Sequence, residues 1–171
     1  MEGGGASLVP NANFEGTGNW SENRLSNFPG TSLWRGNWGT AAGRNGGYAY
    51  AISNQAYAWL ESSAITAGPN TQYDAYAWVQ GEIDAEDSWG QWILRVLQYD
   101  SAGVYLSSVD VDSGGTLPTA WEHKGGRFTT TANTAKVSIR LYSYMTSGWA
   151  AHDDILLKPV ATHSLPTLPA R

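Results

Sequence analysis

The feature that most constrains this chain is the period of its side chains. In "YDAYAWVQG", residues 73–81, Tyr73, Ala75, Ala77 and Val79 fall on one side, and Asp74, Tyr76, Trp78 and Gln80 on the other. That is the period of two of a β-strand, whereas no stretch of about twelve residues carries a 3.6-residue helical repeat. Similar runs recur at "YAYAIS", "AYAWLESSAI", "QWILRVLQYD", "VYLSSVDV", "GRFTTT", "AKVSIRLYSY" and "DDILLKPV". Turn signals separate them, among them "GRNGG", "AGPNT", "DSAG", "DSGGTLP" and "HKGG". About eight short strands with Gly- and Asn-rich turns predict an all-β fold, an antiparallel β-sandwich or jelly roll of two sheets. No fixed-length repeat points to a propeller or solenoid.

A sandwich without disulfides needs a real core. The chain has no Cys, but 42% of its 171 residues are hydrophobic, enough for one domain. The absence of Cys also excludes thiol catalysis and Cys-based zinc sites. Residues 1–7 read as a flexible lead, 8–159 as the sandwich and 160–171 as a Pro- and Thr-rich linker or tail. No signal-peptide core is visible and no apolar run is long enough to span a membrane. The net charge is −5, with only ten Lys and Arg and no basic cluster. Phosphate-backbone binding needs such clusters, so no nucleic acid partner is expected.

The aromatic residues point elsewhere. Nine Trp and nine Tyr stand against three Phe. Trp and Tyr are the rings used where a surface must meet both water and a ligand, whereas Phe would fill a core equally well. Alternation turns Tyr76, Trp78 and Gln80 away from the core. It does the same for Arg95 in "WILRVLQY", with Leu94 and Val96 inside. In "AKVSIRLYSY" it places Val137, Ile139 and Leu141 inside, with Ser138, Arg140, Tyr142 and Tyr144 outside.

Several segments, in order, resemble the jelly-roll carbohydrate-binding modules of the family 4/9/22 group. They are "LVPNANFEG" (8–16), "AGPNTQYDAYAWVQG" (67–81), "WILRVLQYDSAG" (92–103), and "TAKVSIRLYSY" (134–144) followed by "AHDDILL" (151–157). The resemblance implies a sandwich with one concave sheet whose outer face holds a glycan. If the strands are neighbours, Tyr76, Trp78, Gln80, Arg95, Arg140 and Tyr142 form one floor there. Rings stack on the C–H faces of sugars, while Gln and Arg take hydroxyls in pairs. Trp59 in "AYAWLES" would add a groove wall, and Trp38 in "SLWRGNWGT" would line one end. Trp89 and Trp92 would form the other rim, and Trp20, Trp121 and Trp149 are expected to be structural.

The resemblance also implies a structural calcium joining the first segment to the last. Carried over by position, Glu15 of "NFEG" and Asp153 or Asp154 of "DDI" become ligands, with Asn13 and the carbonyls of "RNGG" (44–47) completing an oxygen shell. In a regular strand Asp153 shares the face of Ile155 and Leu157, where a buried carboxylate needs a cation. The acidic segment "EIDAEDS" (82–88) lacks the pattern of a calcium loop and reads as solvated.

The function expected is a non-catalytic, calcium-stabilised module that holds a polysaccharide, with neutral β-glucan, xylan or mannan as first choices. It is expected to be extracellular, monomeric and attached to a larger enzyme or surface protein. The alternative is a structural or adhesive sandwich binding a protein or cell-surface polymer. An enzyme is a third reading. A glycosidase needs two carboxylates about 5–10 Å apart across a cleft, and Glu61, Glu82, Asp84, Glu86 and Asp87 are the candidates. A lyase would use His123, His152 or Tyr142 with Arg140. No hydrolase triad, GxSxG, HExxH or phosphate-loop motif is present.

Overall fold

The alternating segments become strands because β-branched and aromatic side chains at every second position bury one face of a pleat. The computed structural model describes residues 6–25, 32–53, 56–84, 89–145 and 147–161. Among them the strands are β1 (Trp20–Arg24), β2 (Ser32–Gly36), β3 (Ala49–Ser53), β4 (Ala56–Ser62), β5 (Ile65–Thr66), β6 (Gln72–Ile83), β7 (Gln91–Tyr99), β8 (Tyr105–Gly114), β9 (Glu122–Thr129), β10 (Lys136–Met145) and β11 (Gly148–Pro159). A 3-10 turn occupies Gly39–Ala41.

These strands make the expected sandwich. One sheet has the order β1-β4-β10-β7-β8, with β5 also paired to β10, and is called the six-stranded sheet. The other has the order β2-β3-β11-β6-β9 and is called the five-stranded sheet. All the pairings are antiparallel.

The core lies between the sheets. The six-stranded sheet contributes Leu60, Leu94, Val96, Val137, Ile139 and Leu141, and the five-stranded sheet contributes Ile52, Val79, Ile155 and Leu157, all buried. Phe14 plugs one edge, its ring centroid 5.1 Å from Trp20 and 5.5 Å from Tyr50. The start of the chain lies along the last strand: Leu8 N donates to Leu157 O at 2.8 Å and Ile155 N to Ala12 O at 2.8 Å. Ser7, expected in the flexible lead, takes part, donating to Ile155 O and accepting from Leu157 N.

One strand is not regular. The register of β11 against β6 shifts between Asp153 and Leu156, and Asp154 has φ 44°. A bulge inserts an unpaired residue and reverses the parity that follows it. Ala150 and His152 therefore face inward before it, and Ile155 and Leu157 after it. The expectation that Asp153 shares the face of Ile155 and Leu157 is corrected: Asp153 belongs to the outer face, although neighbouring chain buries it. His152, weighed as a lyase base, takes the inward position and is fully buried, which pushes its pKa down to about 4.

Candidate functional site

The six residues expected to form one floor do not share a sheet. β6 pairs with β11 and β9, whereas β7 and β10 pair with each other. Between β6 and β7 the chain changes sheets. Tyr76, Trp78 and Gln80 lie on the outer face of the five-stranded sheet, and Arg95, Arg140 and Tyr142 on the outer face of the six-stranded one. Each strand's inside–outside parity was correct, but parity carries no information about which strands adjoin.

The six-stranded sheet presents the more ordered array. Successive outward positions of β4 (Tyr57, Trp59, Glu61) lie beside those of β10 (Tyr144, Tyr142, Arg140), since the register pairs Tyr57 with Tyr144, Trp59 with Tyr142 and Glu61 with Arg140. Tyr142 and Tyr144 are stacked with centroids 5.5 Å apart and planes 5° from parallel. Trp59 lies 5.3 Å from Tyr142, and Tyr57 meets Tyr144 edge-on at 4.8 Å. The half-buried ring of Trp59 keeps an N–H that finds no acceptor among the described residues.

Two guanidinium groups extend this row. Arg140 Cζ stands 5.3 Å from the Trp59 centroid, and Arg95 Cζ 5.0 Å from that of Tyr142, within cation–π range. Each has its own carboxylate. Arg140 Nε donates to Glu61 Oε2 at 2.7 Å and its Nη1 to the Tyr142 hydroxyl at 2.8 Å. Arg95 makes a two-pronged pair with Asp110 of β8, which holds it above the ordinary guanidinium value. Glu61 is fixed further by Ser138 Oγ at 2.9 Å and Tyr99 OH at 3.4 Å. Beyond it the row ends in a depression of about 210 Å³ that includes Glu61, Tyr99, Lys136 and Ser138. The face thus offers rings and fixed hydrogen-bonding groups with its arginine charges locally cancelled.

The five-stranded face is different. Tyr76 stacks on His123 of β9 at 4.4 Å, and His123 is 5.3 Å from Trp78. Arg44 lies 4.2 Å above Trp78 and is itself held by Asp154 at 2.7 Å. These rings contact one another and the chain. Gln80 stands opposite Ala151, in a patch where Ala41, Ala51 and Ala151 are packed by Trp34, Trp121 and Trp149. Trp38, 70% exposed, leans on Trp34 at 5.0 Å and so belongs to this side of the sandwich. Trp92, expected at a rim, is buried in the core with its N–H on Thr116 O.

The expected metal ligands gather near the loop joining the 3-10 turn to β3. Glu15 Oε1 accepts from Tyr48 N at 2.8 Å and Asp153 Oδ2 from Arg44 N at 2.8 Å. Burial pushes the Asp153 carboxyl up to about 6. Asp154 turns instead to the Arg44 guanidinium, and Asn13 Oδ1 accepts from Glu15 N. Among the described residues no three His, Asp or Glu side chains cluster as a metal group.

The carboxylates weighed for catalysis are not brought together. Glu61 is on β4, whereas Glu82 lies on β6 opposite Trp149, and Asp84 accepts from Ser147 Oγ. Glu86 and Asp87 lie outside the described residues. His123, expected in a turn, is on β9 against Tyr76.

Sequence reasoning missed Tyr57, Glu61 and Asp110 as members of the ordered array. The signal for the first two was the same alternation that exposed Trp59. Asp110 could be found only by knowing that β8 adjoins β7.

No family model and no curated protein matches this sequence. Solved structures do match in fold. The enzymatically active domain of tailspike protein 4 from bacteriophage CBA120 superposes with TM-score 0.61 at 13% identity, over 90% of this chain and 21% of that one. The CBM22-1–GH10 modules of the Clostridium thermocellum endo-1,4-beta-D-xylanase 10B, complexed with xylohexaose, give 0.62 at 13% identity, over 94% and 29%. TmCBM61 in complex with beta-1,4-galactotriose gives 0.56 at 18% identity, over 91% of this chain and 100% of that one. The chain therefore spans less than a third of the first two proteins and the whole of the third. Its fold is the jelly-roll sandwich of carbohydrate-binding modules. Among the described residues no helix is long and apolar enough to cross a membrane.

Proposed function

We propose that this chain is a non-catalytic module that holds a neutral polysaccharide on the outer face of its six-stranded sheet. The observation that carries this reading is the Trp59–Tyr142–Tyr144–Tyr57 row flanked by Arg140 and Arg95, each paired to a carboxylate. The partly exposed rings of Trp59, Tyr144 and Tyr57 receive the C–H faces of sugars, with Tyr142 buried among them as support. Arg140, Glu61 and Ser138, already positioned, exchange hydrogen bonds with hydroxyls at little cost in ordering. Because Glu61 and Asp110 cancel the arginine charges, the row favours neutral chains such as xylan, β-glucan or mannan over polyuronates.

The fold relatives that carry xylohexaose and galactotriose are consistent with this ligand class. The module works by adsorption. As part of a longer secreted protein, it raises the local concentration of an attached partner on the polymer. Each hydroxyl contact replaces one with water, so affinity is modest.

The same reading includes a structural calcium. Glu15 and Asp153 supply the carboxylates, and backbone carbonyls of 44–47 complete the shell. What supports it is the chemistry of Asp153, a carboxyl 4% exposed with no ion pair among the described residues. A bound cation would offset its burial and tie β11 to the N-terminal segment.

Affinity electrophoresis against neutral and acidic polysaccharides, with release of reducing ends assayed in parallel, tests the proposal. Retardation by a neutral glycan without release is expected. Release of sugar ends, or retardation by no glycan, would overturn it.

A further inference from the structure

A second cavity, of about 280 Å³, opens at the lateral edge of the sandwich, away from the outer-face row. Trp20 of β1 faces the interior side, since it pairs with the inward Ser62, and Tyr50 faces inward from β3. Where the two sheets part, the partly exposed ring of Trp20 lines the cavity, with Phe14 and Tyr50 buried behind it. Arg35, Asn11 and Thr17 add polar groups around it.

The rim is built to stay open. Asn11, Phe14 and Asn19 all have positive φ, at 50°, 55° and 65°. Such backbone is unusual for non-glycine residues and persists only where its surroundings fix it. Here the fixing groups are visible. Asn11 Oδ1 accepts from Gly16 N at 2.8 Å, while its Nδ2 donates to Gly16 O and Gly18 O at 3.0 and 3.2 Å. Arg35 donates from Nε to Phe14 O and from Nη2 to Glu15 O. These bonds use two of the five guanidinium N–H groups. No ion pair occupies Arg35 among the described residues.

We propose that this edge cavity is a second saccharide site, taking a single sugar ring. At ~30 Å³ per water it has room for about nine waters, enough for one sugar ring with its hydroxyls. The Trp20 ring beside the polar groups of Asn11, Thr17 and Arg35 fits a sugar's apolar face and hydroxyl edge. A preformed rim lowers the ordering cost that so small a ligand cannot offset. The proposal does not depend on the outer-face reading, because Trp20 and Trp59 lie on opposite sides of the six-stranded sheet.

The test is an NMR titration of the full chain carrying Trp59→Ala, which removes the outer-face platform. The Trp20 indole signal, assigned by its loss in Trp20→Phe, is followed against D-xylose, D-glucose, D-galactose and D-mannose, each to about 50 mM, well above a millimolar Kd. A saturable shift with at least one sugar is expected. Thr17→Trp, which fills the cavity from an exposed loop, should abolish the shift while leaving polysaccharide retardation of the otherwise unmutated chain in place. Thr17→Arg serves equally if the first variant does not fold. Failure of all four sugars to move the signal, or a shift that persists in the filled variants, overturns the proposal. Neither result bears on the outer-face row, which retardation tests separately.

Discussion

Glu61 of β4 and Arg140 of β10 meet across the six-stranded sheet, Oε2 to Nε at 2.7 Å, beside the ring of Trp59. That pair positions the guanidinium and cancels its charge. Glu61→Gln keeps the shape but leaves Arg140 uncompensated. The variant is expected to lose about 1 kcal/mol of stability and to gain retardation by polyuronate relative to neutral glycan. Electrophoresis in paired neutral and acidic gels checks this. An unchanged preference would show that the pair does not set ligand charge.

Gly125 on β9 faces Tyr76 with φ 146°, and a Cβ there would stand 2.2 Å from the carbonyl oxygen of Ala75. Backbone cannot yield as a flexible side chain can. Gly125→Ala is expected to cost more than about 2 kcal/mol, lowering Tm by roughly 4–8 °C or more at about 2–4 °C per kcal/mol. Thermal unfolding monitored by near-UV circular dichroism measures it.

For the calcium, the expected outcome is a higher Tm in excess calcium than in chelator. A ligand at ~100 times its Kd adds about 2.7 kcal/mol, or roughly 5–10 °C for a chain of this size. Glu15→Gln and Asp153→Asn should each shrink that difference. Equal melting with calcium and chelator would remove the ion from the account.

Much of the fold was legible because a half-buried strand writes its parity into the sequence. β6, β7 and β10 were recognisable with their correct inner faces. β1 (WSENR) and β2 (SLWRG) were not, since they are short edge strands with little alternation to detect. The site was only half legible. Trp59, Arg140, Tyr142 and Arg95 emerge from parity alone and do come together. Trp78 and Tyr76 carry the same signal, yet they lie on the opposite sheet. Strand adjacency is set by long-range pairing, which local periodicity does not encode. The β11 bulge likewise moved Asp153 to the other face, and a one-residue insertion of that kind has no two-residue periodicity to betray it.

On the outer face of the five-stranded sheet, Tyr76 and Trp78 already have partners within the chain. Trp78 is engaged by Arg44 and His123, and Tyr76 by His123. Arg44→Ala is expected to lower Tm through the lost Trp78 and Asp154 contacts, while leaving polysaccharide binding at its original strength.

The measurement that tests the central claim most directly compares Trp59→Ala with Trp78→Ala in affinity electrophoresis, using the glycan that retards the unmutated chain. Trp59→Ala is expected to lose retardation by at least about tenfold, the usual cost of removing a central aromatic anchor, while remaining folded. Trp78→Ala is expected to melt earlier but still be retarded. Binding retained without Trp59 and lost without Trp78 would place the ligand on the five-stranded sheet and contradict the account.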